Sequence, residues 1–191
     1  SSQSSRVQKV PGRIVFVGRL EKMKGVDTLL DAFELLLNSP TSDVTLHIVG
    51  DGSLRTTLEK RARTLNIADR VTFIGRVTGE ELHREYAEAQ IFCGLSRSEA
   101  LGNVFLEAQA ARCAVVGTRL GGIPDIVRDG TTGLLVSSDD PVAAAKAMET
   151  FLSDPEFMKS AGAQGSQNAS KYAWKAIAEQ YAAEYRTVVE H

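Results

Sequence analysis

The stretch SEALGNVFLEA, Ser98 to Ala108, carries two glutamates, Glu99 and Glu107, with seven residues between them. Gly102 and Asn103 stand just before an apolar run, so the stretch reads as a loop that turns into a helix. Asparagine caps a helix start well, and glycine lets a ligand approach the backbone closely. The unpaired N–H groups of a first helical turn attract an anion. A carboxylate accepts hydrogen bonds from hydroxyl groups. Together these features suit a ligand with phosphate in its middle and a polyol at each end, as in a sugar nucleotide. Neither acid has an obvious cationic partner in its local sequence. A plainer reading stays open, with one acid serving the helix dipole and the other facing solvent. A glycosidase pair is a third reading. Its acids would have to flank a scissile bond, and the neighbouring loops argue for a diphosphate instead.

A second candidate set lies in GRLEKMKG, residues 18–25, where Arg19 and Lys24 flank a loop bounded by glycines. Two converging cations suit a diphosphate, and two solvated surface charges are the alternative. The stretch is neither the GxxxxGK[ST] phosphate loop nor the GxGxxG dinucleotide fingerprint. The run Ser138-Asp139-Asp140 precedes Pro141 and reads as a helix cap rather than a metal site. No cluster with metal-ligand spacing is found, and His47 and His83 read as structural.

The elements that must position these residues alternate along the chain. Short apolar runs at 13–18, 43–50, 70–75, 90–94, 113–118 and 132–136 read as strands. Helical patterns lie between them at 26–37, 54–65, 79–89 and 103–112, then at 141–153, 155–171 and 174–190. This alternation predicts an α/β, Rossmann-like, doubly wound parallel sheet of six strands with helices on both faces. Strands that are apolar throughout fit a sheet covered on both sides. Ligands bind such sheets outside the carboxyl ends of the strands, and five strand-following loops carry glycine there.

The chain has 191 residues, 43% of them hydrophobic, which suffices for one sizeable core. A net charge of −2 with mixed signs gives no basis for capturing nucleic acid. Cys93 and Cys113 sit in apolar runs and read as buried thiols. No apolar run is long enough to span a bilayer and no signal peptide is evident, so a cytoplasmic location is expected. Residues 1–11 read as a linker or tail and residues 12–191 as the domain. The stripe Trp174, Ile177, Tyr181, Tyr185 suits either the domain's own core or a contact with another domain.

The segment SRSEALGNVFLEAQAARCAVVGTRLGGIPDIVRDGTTGLLV resembles the C-terminal, donor-binding half of retaining GT-B glycosyltransferases of the group 1 type. It shares the Glu-x7-Glu motif, the Gly121-Gly122-x-Pro124 turn and the Asp129-Gly130-x-x-Gly133 turn. VGRLEKMKGVDTLL, VGDGSLRTTLE and VTFIGRVTGEEL match further segments of that family. The resemblance implies catalytic roles for Arg19, Lys24 and Glu99, with Arg19 and Lys24 on the donor diphosphate and Glu99 on the sugar hydroxyls. It places Glu107 on the ribose, the backbone of Leu101, Gly102, Asn103 and Val104 against sugar and phosphates, and Arg76 and Val77 by the nucleobase. It also puts Gly18 and Gly52 in donor-binding loops. Ala100 and Leu101 depart from the family's Gly-Phe and bear on which sugar fits.

The implied reaction is retaining, metal-independent transfer from a nucleoside diphosphate sugar to an acceptor hydroxyl, with no cofactor beyond that co-substrate. The implied partner is an N-terminal acceptor domain in cis, through which a longer protein would meet a membrane surface. Without it the domain is expected to be inactive. A sugar-nucleotide 2-epimerase and a non-catalytic nucleotide-binding module are the alternatives.

Overall fold

The computed structural model describes residues 8–41, 43–100 and 102–189, with side chains through Ala173. Six strands form its sheet: β1 (Arg13–Val17), β2 (Thr45–Val49), β3 (Val71–Gly75), β4 (Ile91–Gly94), β5 (Ala114–Thr118) and β6 (Gly133–Val136). All pair in parallel, in the order β3-β2-β1-β4-β5-β6. The order reverses between β1 and β4, where Ile14 lies opposite Ile91. That junction opens the crevice in which such sheets bind ligands.

Both faces are covered, as the apolar strands require. Side chains alternate across the sheet, so Ile14, Phe16, Ile91, Cys93, Ala114 and Val116 join one core while Val15, Phe92 and Val115 join the other. On the first face lie α1 (Val26–Leu37), α2 (Arg55–Thr64) and α6 (Pro141–Ser153). On the second lie α3 (Gly79–Glu88), α4 (Asn103–Ala110) and the short α5 (Ile123–Ile126). Residues Leu29, Leu30, Phe33 and Leu36 of α1 are almost wholly buried, as their helical spacing predicts. Truncating Phe33 to alanine would cost about 3–5 kcal/mol by the usual penalty for a core phenylalanine.

Some details differ from the sequence reading. The two helices expected at 155–171 and 174–190 are one, α7 (Pro155–Val189). Lys171, Tyr172 and Ala173 contain no glycine or proline to stop it. The side chains of the Trp174–Tyr185 stripe lie outside the described residues. Lys9 is tied into the domain, its Nζ donating to the carbonyls of Tyr86, Ala89 and Ala111 at 3.2, 2.6 and 2.8 Å. Burial lowers its pKa, and those carbonyls replace the lost water. Cys93 and Cys113 are free and buried. Asp140 caps α6 by accepting from the Ala143 N–H at 2.9 Å, the role read for the Ser-Asp-Asp run.

Candidate functional site

Lys24 and Glu99 meet across the β1/β4 junction. Lys24 belongs to a single 3-10 turn, Lys22–Lys24, in the loop after β1, and Glu99 to the loop after β4. Their Nζ and Oε2 atoms are 2.7 Å apart, with side-chain exposures of 22% and 13%. Glu99 thus pairs with a cation supplied from 75 positions away. Backbone contacts bring the two loops together. Gly25 adopts φ +64°, and a Cβ there would lie 2.0 Å from the Leu95 carbonyl oxygen. Gly121, at φ +54°, leaves room for the Glu99 carbonyl, which would lie 1.8 Å from an added Cβ and which accepts the Gly122 N–H at 3.1 Å. Only glycine suits both the conformation and the contact at these positions.

Arg97, a residue the sequence reading passed over, pins the same loops. Its guanidinium forms a fork on Asp27, with Nη1–Oδ1 and Nη2–Oδ2 both at 2.9 Å. It also donates to Asp139 at 2.6 Å, to Thr28 Oγ1 at 3.1 Å and to the Lys22 carbonyl at 2.5 Å. The Arg97 N–H donates to the Met23 carbonyl at 2.8 Å. One side chain therefore ties the Lys24 turn, the start of α1 and the loop before α6 to the Glu99 loop. Burial raises the Asp27 carboxyl pKa, but hydrogen bonds and charge from Arg97 outweigh it and leave that pKa below the usual value. The only sequence signal was a charged residue in a ligand-side loop, since its acidic partner lies 70 positions away.

Arg19 is exposed, and no ion pair involving it is found among the described residues. It does not share a partner with Lys24. It lines a cavity of about 220 Å³ with Gly18, Asp51, Arg76, Val77 and Leu82, at the carboxyl ends of β1, β2 and β3. Gly18, Arg76 and Val77 are thus gathered around one cavity at this edge of the sheet. Gly52 is accounted for by packing, because a Cβ there would lie 2.6 Å from the Leu20 carbonyl oxygen.

The helix start differs from the expected asparagine cap. Gly102 is the N-cap, at φ +64°, and Asn103 is the first residue of α4. Among the described residues no side chain caps it, which leaves the first-turn N–H groups of Asn103 and Val104 without an intrahelical partner. Leu101 lies outside the described residues. Glu107 follows one turn in, exposed, and its Oε2 accepts from the Tyr86 hydroxyl at 2.8 Å. It lines a cavity of about 570 Å³ together with Ala100, Asn103, Gly122, Asp125 and Tyr172.

The sequence profile of the family described as glycosyl transferases group 1 matches residues 1–168. The chain belongs to that family. A curated relative, the D-inositol 3-phosphate glycosyltransferase of Corynebacterium diphtheriae, is 36% identical over 97% of this chain and 45% of its own length. The chain thus spans about half the length of the curated relatives it matches. Among solved structures, sucrose-phosphate synthase of Thermosynechococcus elongatus superposes with a TM-score of 0.83 at 31% identity, covering 93% of this chain and 45% of that one. Anabaena HepE in complex with UDP-glucose superposes with a TM-score of 0.78 at 23% identity, covering 91% and 49%. The fold is the C-terminal half of a GT-B glycosyltransferase.

Membership gives the motifs of this group 1 glycosyl transferase chain a physical content. The Gly-Gly-x-Pro turn supports the Glu99 peptide through Gly121 and Gly122. In the Asp-Gly-x-x-Gly turn, Asp129 accepts the Leu135 N–H at 2.9 Å and an Arg119 N–H at 2.6 Å, which secures the ends of β5 and β6. Among the described residues, no helix is long and apolar enough to cross a membrane.

Proposed function

We propose that this chain binds a nucleoside diphosphate sugar at the β1/β4 junction and forms the donor half of a retaining hexosyltransferase. The observation that carries the reading is the convergence of Lys24, Glu99 and the uncapped start of α4 on one edge, with Glu107 a turn further in. Lys24 and the α4 N–H groups suit the diphosphate, Glu99 the sugar hydroxyls and Glu107 the ribose. Arg19 stands beside the cavity with Arg76 and Val77, which suits a nucleobase and the adjoining phosphate. Because HepE is seen with UDP-glucose, uridine is the base to try first.

In the reaction, the bond between the sugar anomeric carbon and the β-phosphate oxygen breaks. The acceptor oxygen bonds to that carbon on the same face, and its proton passes to the departing diphosphate. Negative charge grows on the β-phosphate as the bond breaks, so cations and helix N–H groups placed there lower the barrier. This charge complement is the reason to propose transfer without a metal ion. The acceptor is assigned to a preceding domain of a longer protein, without which this chain binds donor but does not turn over.

A thermal-shift panel with UDP, GDP and ADP, then with their sugar conjugates, tests the reading. Ligand at ~100 times its dissociation constant adds about 2.7 kcal/mol, roughly 5–10 °C for a domain of this size. A shift selective for one base supports the site and names the nucleotide. No shift with any member of the panel overturns donor binding by this chain.

A further inference from the structure

Glu107 is exposed on α4, and no ion pair reaches it among the described residues. A glutamate in that setting samples many rotamers, and a ligand that fixes one of them loses affinity to the ordering. Among the described residues it has a single protein tether. The Tyr86 hydroxyl donates to Oε2 at 2.8 Å, while Oε1 has no hydrogen-bond partner among the described residues. We infer that Tyr86 is a positioning residue for Glu107, holding one carboxylate oxygen so that the other meets the ribose hydroxyls of a nucleoside diphosphate.

The tether is rigid because its base is packed. Tyr86 is 3% exposed and lies on α3, its ring 6.2 Å from that of Phe92 at a 41° tilt. Phe92, at the centre of β4, meets Phe105 edge-on at 5.1 Å. Phe105 belongs to α4, two residues before Glu107. The aromatic chain thus links both ends of the hydrogen bond through the core and sets the spacing of α3 and α4 where the bond crosses. The Tyr86 carbonyl is held as well, accepting from Cys113 Sγ at 3.2 Å and Lys9 Nζ at 3.2 Å. Burial, followed by the Glu107 charge, pushes the phenol pKa upward, so the hydroxyl keeps its proton and remains a donor. Tyr86 and Glu107 both line a cavity of about 300 Å³ between α3 and α4, while Glu107 also faces the 570 Å³ cavity. The carboxylate therefore stands on the ridge between the two, gripped from the Tyr86 side.

The inference rests on the ribose role proposed for Glu107, and the experiment separates the two. Calorimetric titration of the 191-residue chain would compare UDP, GDP and ADP with their 2′,3′-dideoxy analogues, for wild type, Tyr86→Phe, Glu107→Gln and the double variant. Phenylalanine keeps the ring and its packing and removes only the donor. Tyr86→Phe is expected to weaken the bound nucleotide about fivefold, the scale of one hydrogen bond to a charged group discounted for exposure, with no change for the dideoxy analogue. In the Glu107→Gln background, Tyr86→Phe is expected to cost nothing more. An equal loss for both ligands would show a general packing effect and overturn the inference. So would a weakened Glu107→Gln beside an unchanged Tyr86→Phe. If Glu107→Gln itself leaves nucleotide affinity unchanged, the ribose reading falls and the positioning role falls with it.

Discussion

Glu99 and Glu107 are the same residue type, eight positions apart, yet the fold treats them in opposite ways. Glu99 is 13% exposed and held by a lysine cation at 2.7 Å. Glu107 is exposed and held by a neutral phenol at 2.8 Å. In the free domain the first carboxylate is already paired with a cation, and the second keeps one oxygen without a hydrogen-bond partner among the described residues. A donor bound as proposed would therefore divide the Lys24–Glu99 pair between its phosphate and its sugar, but would need only to add itself to Glu107. The difference arises from the supporting elements. Glu99 sits in a loop that Arg97, Gly25 and Gly121 fold against other loops, whereas Glu107 stands on a regular helix over an aromatic core.

This contrast is open to direct attack. The largest expected effect is from Lys24→Ala, which removes the proposed phosphate cation and also leaves Glu99 without its counter-charge. Nucleoside diphosphate affinity should fall about thirtyfold, the scale of a charged hydrogen bond plus the residual repulsion. Calorimetry showing a loss under threefold would remove Lys24 from the site.

Glu99→Ala should act in two directions. The sugar conjugate should weaken about tenfold, since hydroxyl hydrogen bonds are lost. The bare nucleoside diphosphate should bind unchanged or slightly tighter, because Lys24 no longer has a protein partner to leave. Parallel losses for the two ligands would mean that the pair is a structural bridge only.

The smallest effect concerns the frame. Arg97→Gln leaves Asp27 and Asp139 without their shared cation. Both pairs are partly exposed, so solvent screening limits the loss to about 1 kcal/mol, or roughly 2–4 °C in melting temperature. The Asp27 carboxyl has its pKa lowered in the folded state, so its contribution is present above the unfolded value of 3.8 and is lost as pH falls through the folded value. Wild type and variant should differ at neutral pH and converge in acid. A gap in melting temperature that is constant from pH 7 to pH 2 would place the stabilising effect of Arg97 in packing rather than in charge.

Much of this molecule is legible in its sequence, for local reasons. The α1 residues Leu29, Leu30, Phe33 and Leu36 announce a buried helical face, and the apolar runs announce strands covered on both sides. The glycines after the strands mark the ligand edge, and Glu99, Glu107, Arg19 and Lys24 all fall on loops or helix turns near it. What failed locally was the end of the chain and the cap. The expected break between 171 and 174 has no glycine or proline behind it, and one helix runs through. Asn103 looked like the cap, but the left-handed turn into α4 needs a residue that tolerates positive φ, and Gly102 takes that place.

The sequence by itself determined the alternation of strand and helix, the face each helix buries and the family to which the chain belongs, because each is written in the spacing of neighbouring residues. Only the tertiary structure decided which charges meet. Lys24 and Glu99 are 75 positions apart, Arg97 and Asp27 70, Tyr86 and Glu107 21. Such pairs depend on the order in which the strands assemble, with β1 laid beside β4 rather than beside the strand that precedes β4 in the chain. An ion pair or hydrogen bond acts over a few ångströms, and that distance is set by the sheet rather than by the chain.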